Sequence, residues 1–300
     1  MAPRFSSFNY NKGFGSRISR GRPFFATGGT IFDDGGYRYH WYDVGSNSFI
    51  VSGAPGQIEF LIVAGGGAGA QGGGGGGGGG VVVTSSPYPI SIGSYSVVVG
   101  NGAPISTANG GDSSFNNITA KGGGVGGGAG GGTGTPGGSG GGASNDSVPA
   151  GASVGGNATQ PTQNPGISGI LQYGNRGGNA TSSRGAGGGG AGAQGVDGPA
   201  TPGGNGIPIS WVPASFGTPG PTPGRWFSGG GGGCSRDNPG GGAGGAGGGG
   251  AGTGTFASPP GVPGTANTGG GGGGGGTTSN QGNKPGGTGG SGIVIIRYLA

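Results

Sequence analysis

Nine consecutive glycines, residues 72–80, interrupt an apolar chain that reads IEFLIVAGGGAGAQ before them and VVVTS after them. A flexible linker would join two domains, but the apolar runs on either side are too short to be domains, so the glycines have to sit inside one. That placement is costly. Glycine gives up more backbone entropy on folding than any other residue and brings no side chain to bury. Gly makes up 97 of the 300 residues, near collagen's third, yet the G-X-Y period is missing and the 22 prolines cluster between the glycine runs. Hydrophobic residues at 29% and charged residues at 7% are too few for a conventional core along this length. Disorder is the reading such a composition invites by default.

Strand signals argue against it. YRYHWYDV (37–44) alternates around aromatic positions, SFIV (48–51) and QIEFLIVA (57–64) are β-branched or aromatic, and VVVTS, SYSVVVG and SSFNNITA follow, separated by turn sequences such as DDGG (33–36), SGAPG (52–56) and NGAP (101–104). These predict a small all-β unit over 28–120. Glycine tracts then alternate with loops over 121–292: GGGVGGGAGGG (122–132), GGSGGG (137–142), GAGGGGAGAQG (185–195), GGGGG (229–233), GGGAGGAGGGGAG (240–252) and eight glycines at 269–276. A closing strand at 293–300, within SGIVIIRY, needs a sheet to join, and the β unit offers one. The ends of the glycine-rich zone are therefore expected to meet; closing so long a loop gains nothing by itself, so something has to order what lies between them.

Polyglycine type II supplies a means. This left-handed threefold extended helix has no internal hydrogen bonds, so its N–H and C=O groups point outward, and rods without Cβ atoms can pack side by side and satisfy one another. At about 3.1 Å per residue, nine glycines make a strut of roughly 25–28 Å. The expected fold class is an all-β N-terminal unit plus a polyglycine type II helix sandwich, with essentially no α-helix. Side chains are expected only on outer rod faces, as at Val125, Ala129, Ala243 and Ala246.

The pairing of QIEFLIVAGGGAGAQGGGGGGGGG with a closing GGSGIVIIRY, across glycine tracts and Pro/Asn/Thr loops, resembles the glycine-rich domain of bacteriophage tail proteins. It is also similar in design to the tip adhesin of T-even-like phage long tail fibres. The resemblance covers about residues 28–298 and departs at the N-terminus, where this chain has a short arm in place of a larger attachment domain. It implies a virion adhesin, a tail fibre or tail-tip receptor-binding protein, that displays loops to a host surface receptor, an outer-membrane protein or a glycan. A tip-capping monomer and a homotrimer are both open.

The loops hold the large residues that struts exclude: ILQY (170–173), IPISWVPASF (207–216), PGRWF (223–227) and TGTFASPP (253–260). Exposed aromatics give contact area at low entropic cost, which makes Tyr173, Trp211, Phe216, Trp226, Phe227 and Phe256 the receptor-binding candidates. The bland alternative is a hydrophobic plug that seals the sandwich end. Residues 1–27 carry Arg4, Lys12, Arg17, Arg20 and Arg22 with no acid, so the net charge of +5 resides in this arm. Arg17, Arg20, Arg22, Phe24 and Phe25 are the candidates for attachment to another virion tail protein. Nucleic acid is the lesser alternative, since no basic groove accompanies the arm.

No catalytic, metal or cofactor site is expected. Every G-x-G-x-x-G match comes free with glycine runs, His40 sits in an aromatic strand as a structural imidazole, and Cys234 reads as an incidental small residue. The chain lacks a secretory signal and any apolar run long enough for a membrane span, so the expected location is the phage tail, released by lysis, without membrane insertion. Two rivals stay open: a structural or ice-binding glycine-rich protein, and a disordered RNA-associated glycine-rich chain.

Overall fold

The computed structural model describes residues 23–105, 108–145, 153–160, 164, 166–181, 184–198, 201–235, 240–254, 260–278 and 282–300. Among them the protein is mostly β, in several antiparallel sheets, with no α-helix. A five-stranded sheet runs in the order β1 (Phe25–Thr27), β4 (Gly45–Ser52), β8 (Gly93–Val99), β9 (Ser113–Phe115), β10 (Ile118–Ala120). A seven-stranded sheet runs β11 (Ile170–Tyr173), β6 (Val81–Thr84), β5 (Gly56–Val63), β16 (Ile293–Leu299), β3 (Tyr37–Tyr42), β2 (Thr30–Asp34), with β7 (Tyr88–Ile90) also on β5. β16 thus lies between β5 and β3, with Ile295 opposite Leu61 on one side and Trp41 on the other.

The period-two side-chain rule explains why the central strands carry apolar runs, FLIV in β5 and IVII in β16. On β5, Ile58, Phe60 and Ile62 face the five-stranded sheet; on β16, Val294, Ile296 and Tyr298 do the same. They meet Phe49, Val51, Val97, Val99 and Phe115 to form the core of a β-sandwich. The alternate residues, Leu61, Val63, Ile293, Ile295, Tyr39 and Val81, face the other way into a second core. A stretch buried on both faces cannot show polar alternation, and FLIV and IVII do not.

Beyond the sandwich, residues 64–80 leave the end of β5 and return at β6, and the nine-glycine run is enclosed on all sides. Successive N–H groups along it turn to different neighbours. Gly74, Gly77 and Gly80 donate to Gly127, Gly124 and Lys121; Gly75 and Gly78 donate to Ala186 and Gly189; Gly76 and Gly79 donate to Gly272 and Gly269, all at 2.7–3.0 Å. The carbonyls repeat the pattern toward three further segments. Gly74, Gly77 and Gly80 accept from Ala70, Gly67 and Ala64; Gly75 and Gly78 accept from Gly142 and Ser139; Gly73 and Gly76 accept from Cys234 and Gly231. At Gly79 the acceptor's partner is a side chain, the Ser228 hydroxyl. A strand directs its hydrogen bonds to two sides in one plane. Here the direction rotates with a period of three residues, and six segments surround one.

That packing leaves no room for a β-carbon. A methyl on Gly74, Gly75, Gly76 or Gly79 would collide with the carbonyl oxygen of Gly142, Gly231, Gly67 or Ala64 respectively. The expectation that side chains stay on outer faces needs correction, however. Ala64, Ala68, Ala143, Ala186 and Ser139 are fully buried within the tracts, and Val125 is 6% exposed; only Ala243, of the four interruptions singled out, is fully on the surface. The methyls of Ala143, Ala180 and Ala186 pack on one another, so small side chains are accommodated where neighbouring tracts leave a common gap.

Candidate recognition surface

The outer face of the seven-stranded sheet is where the chain's large residues gather. β12 (Ile207–Ile209) pairs with β13 (Arg225–Phe227), and this two-stranded element lies over that face. Ile207, Ile209, Val212 and Phe227 are buried there against Leu61, Val63, Ile293 and Ile295, an apolar seal that holds the intervening loop to the sheet.

Arg297, on β16, fastens the loop from below. Its guanidinium lies between the rings of Tyr37 (4.2 Å) and Trp211 (4.6 Å), donates through Nε to Glu59 Oε2 at 2.8 Å, and through Nη1 to the Trp211 carbonyl at 3.3 Å. The Tyr39 hydroxyl donates to the same carbonyl at 3.1 Å. A planar cation that stacks and donates at once fits this position; lysine would lose both the stacking and the fork. Within the loop, Arg225 donates to the Phe216 and Gly217 carbonyls and Trp226 Nε1 to the Thr222 carbonyl, so residues 213–224 are pinned at both ends.

Beside this loop a groove of about 420 Å³ opens between the β2–β3 hairpin, Ser215–Gly217 and the turn 265–268. Phe32, Trp41 and Phe216 form its aromatic side. The rings of Phe32 and Phe216 are 5.9 Å apart at 29°, and Trp41 meets Phe216 edge-on at 5.6 Å.

The sequence candidates separate on this structure. Phe216 lines the groove, and Trp211 is half-buried with its ring against Arg297. Phe227 is fully enclosed in the second core, and Trp226, only 7% exposed, is covered by its own loop at Gly220 and Thr222, so neither ring is presented at the surface. Tyr173 is half-buried, packed at the rim of the second core, and belongs to edge strand β11 opposite Val81; ILQY is a strand rather than a loop. Phe256 lies outside the described residues, as do Arg17, Arg20 and Arg22. Phe24 packs edge-on against Tyr298 at 4.6 Å, and Phe25 opens β1 opposite Ser52 with nearly half its surface exposed, so the sandwich begins within the stretch read as an arm. Sequence reasoning missed Trp41 and Phe32 because alternating aromatics in a strand look like core.

His40 is fully buried, and the Gly28 carbonyl at 2.7 Å can only accept, so Nδ1 carries the proton and Nε2 faces the Tyr298 hydroxyl at 3.4 Å. Burial holds this imidazole below its ordinary pKa, with the Gly28 carbonyl opposing. Burial likewise pushes the Tyr42 and Tyr298 hydroxyls up. On the surface, hydrogen bonding to Arg38 and Arg176 lowers Asp33 and Asp197. Among the described residues no cluster of His, Cys, Asp and Glu could hold a metal, and no helix is long and apolar enough to cross a membrane.

A β-sandwich carrying interlocked glycine tracts defines the class. The chain belongs to the glycine-rich domain family, which matches residues 43–299, from the start of β4 through the end of β16. No curated protein matches it in sequence.

Proposed function

We propose that this protein is a bacteriophage virion adhesin, a tail-fibre or tail-tip protein in which polyglycine type II rods form a rigid support for receptor-binding loops. The rotation of hydrogen-bond direction every three residues along Gly73–Gly80 carries the rod reading, since a threefold extended helix is the regular backbone that points successive groups in three directions. The pinned loop 213–224 carries the display reading. It is held by Arg225, Arg297 and a buried apolar seal, so its exposed residues can vary while its anchors stay. Residues 1–22 dock on another virion tail protein, and the partner at the other end is a host outer-membrane protein or glycan. No enzymatic activity or cofactor is part of this reading.

The test has two arms. Antibody to the chain should decorate the tail of purified particles of the phage that encodes it, and mass spectrometry of those particles should find the chain; absence from the particle defeats the reading. Purified protein should adhere to susceptible bacteria, and exchange of residues 213–223 for an unrelated loop of equal length should abolish adhesion while far-UV circular dichroism stays unchanged. The exchange leaves Val212, Arg225 and Phe227 in place, so retained adhesion would exclude this loop as the receptor contact.

A further inference from the structure

The groove beside the pinned loop has a lining whose chemistry specifies a ligand class. We infer that it binds a neutral saccharide, with a sugar ring laid on the Trp41 side and its hydroxyls met by Ser215, Thr265 and Asn267; this rests on the adhesin reading and names the receptor chemistry for it.

Three observations lead there. The first is the division of the lining: half-buried Phe32, Trp41 and Phe216 on one side, and hydroxyl or amide side chains on the other. A pyranose has the matching division, with a face of C–H bonds that packs on an aromatic ring and an equatorial belt of hydroxyls that donate and accept. The second is charge. No residue lining the groove is ionisable, which gives a phosphate, sulfate or carboxylate nothing to pair with. The third is preparation of the polar side. Asn267 adopts a left-handed backbone (φ 58°), its N–H donates to Ser291 Oγ at 2.9 Å, and that hydroxyl donates to its Oδ1, also at 2.9 Å. The amide oxygen is thereby fixed, and its Nδ2 has no protein partner among the described residues. A polar group oriented by its neighbour and left free for a ligand is the arrangement small-molecule sites use for specificity.

The volume agrees. About 420 Å³ is within the roughly 300–1,000 Å³ range of such sites. Among the other cavities of the described residues, one of about 150 Å³ joins Tyr88, Tyr95 and Phe115 to Ser91 and Asn116 but falls below that range. The one of about 490 Å³ among Ile105, Val262 and Pro285 has no aromatic ring, and the one of about 250 Å³ beside Phe24 is lined by Glu59 and Arg297.

The full chain, applied to an array of neutral oligosaccharides built from hexoses, 6-deoxyhexoses and N-acetylhexosamines, with sialylated and sulfated glycans as charged comparators, should show saturable binding among the neutral set. Titration of the tightest of these by tryptophan fluorescence should then show Trp41→Ala lowering affinity at least about tenfold and Asn267→Gly about fivefold to tenfold, the loss of one good hydrogen bond. Glycine accepts φ 58° freely, so the second variant keeps the turn; it gives up the bond from the Ser291 hydroxyl, so its melting temperature should fall by no more than a few degrees. Absence of saturable binding to any neutral glycan, preference for the charged glycans, or affinity within twofold of wild type in both variants overturns the inference. Cell adhesion separates the two readings. Protein that adheres to bacteria equally well with Trp41→Ala defeats the saccharide site and leaves the adhesin intact, whereas glycan binding without cell adhesion defeats the adhesin.

Discussion

Phe60 and Gly76 are both fully buried, one in the sandwich and one at the centre of the glycine tracts, and a methyl group means opposite things at the two positions. Around Phe60 the structure is held by filled volume: its ring packs against Phe115 and Tyr88 at 5.4 and 5.5 Å, and removing atoms leaves a hole. Around Gly76 it is held by main-chain hydrogen bonds, its N–H donating to the Gly272 carbonyl and its own carbonyl accepting from the Gly231 N–H, both at 2.8 Å, and adding atoms drives the tracts apart. The first kind of core tolerates exchange among residues of similar size. The second tolerates almost no exchange, yet it asks nothing of the loops that join its rods.

Mutations can sharpen or break that contrast. Phe60→Ala should cost about 3–5 kcal/mol in chemical denaturation, the usual cavity penalty for a buried aromatic. Gly76→Ala should cost about 3 kcal/mol, at the upper end of overpacking effects, because the obstructing atom is the Gly67 carbonyl and no flexible side chain can yield. A Gly76→Ala protein as stable as wild type would show that the rods are not close-packed. A smaller effect comes from pH. The unfolded chain binds a proton at His40 near its ordinary pKa of 6.5, whereas the buried, depressed imidazole does not, so stability is full above that range and falls as pH drops through it. Melting temperature should decline between pH 7 and pH 5, and in His40→Phe the slope should flatten. Asp33 and Asp197, depressed below 3.8, keep their contribution through this range and lose it only as pH falls below about 3.8. The smallest change is expected at Gly128→Ala, where a β-carbon would find only the Gln71 carbonyl at 4.0 Å. That variant should fall within about 0.5 kcal/mol of wild type or gain slightly through a stiffer unfolded chain, a null that makes the Gly76 result specific.

The two regions also differ in how much of them the sequence discloses. In the sandwich, alternation at YRYHWY and unbroken apolarity at FLIV mark β3 and β5, because side chains record which face is buried. ILQY escaped because a four-residue edge strand between turns has too little pattern to announce itself. In the glycine tracts the residues are identical, so nothing in the string tells that Gly75 pairs with Ala186 and Gly76 with Gly272; only the requirement for glycine is written there. The groove falls between these cases. Phe216 stood out in a loop, but its companions Phe32 and Trp41 belong to strands, and the turn at Asn267 reaches them only through tertiary folding.

The position of β16 has a consequence for how the molecule comes into being. Arg297 on that strand binds Glu59, 238 residues earlier in the chain, and at about 5–20 residues per second a ribosome needs on the order of ten to fifty seconds to deliver it. Until then β3 and β5 have an unfilled slot between them, exposed on both edges. A chain cut short anywhere before β16 leaves the slot empty, so the sheet closes only once residues 293–299 have been made.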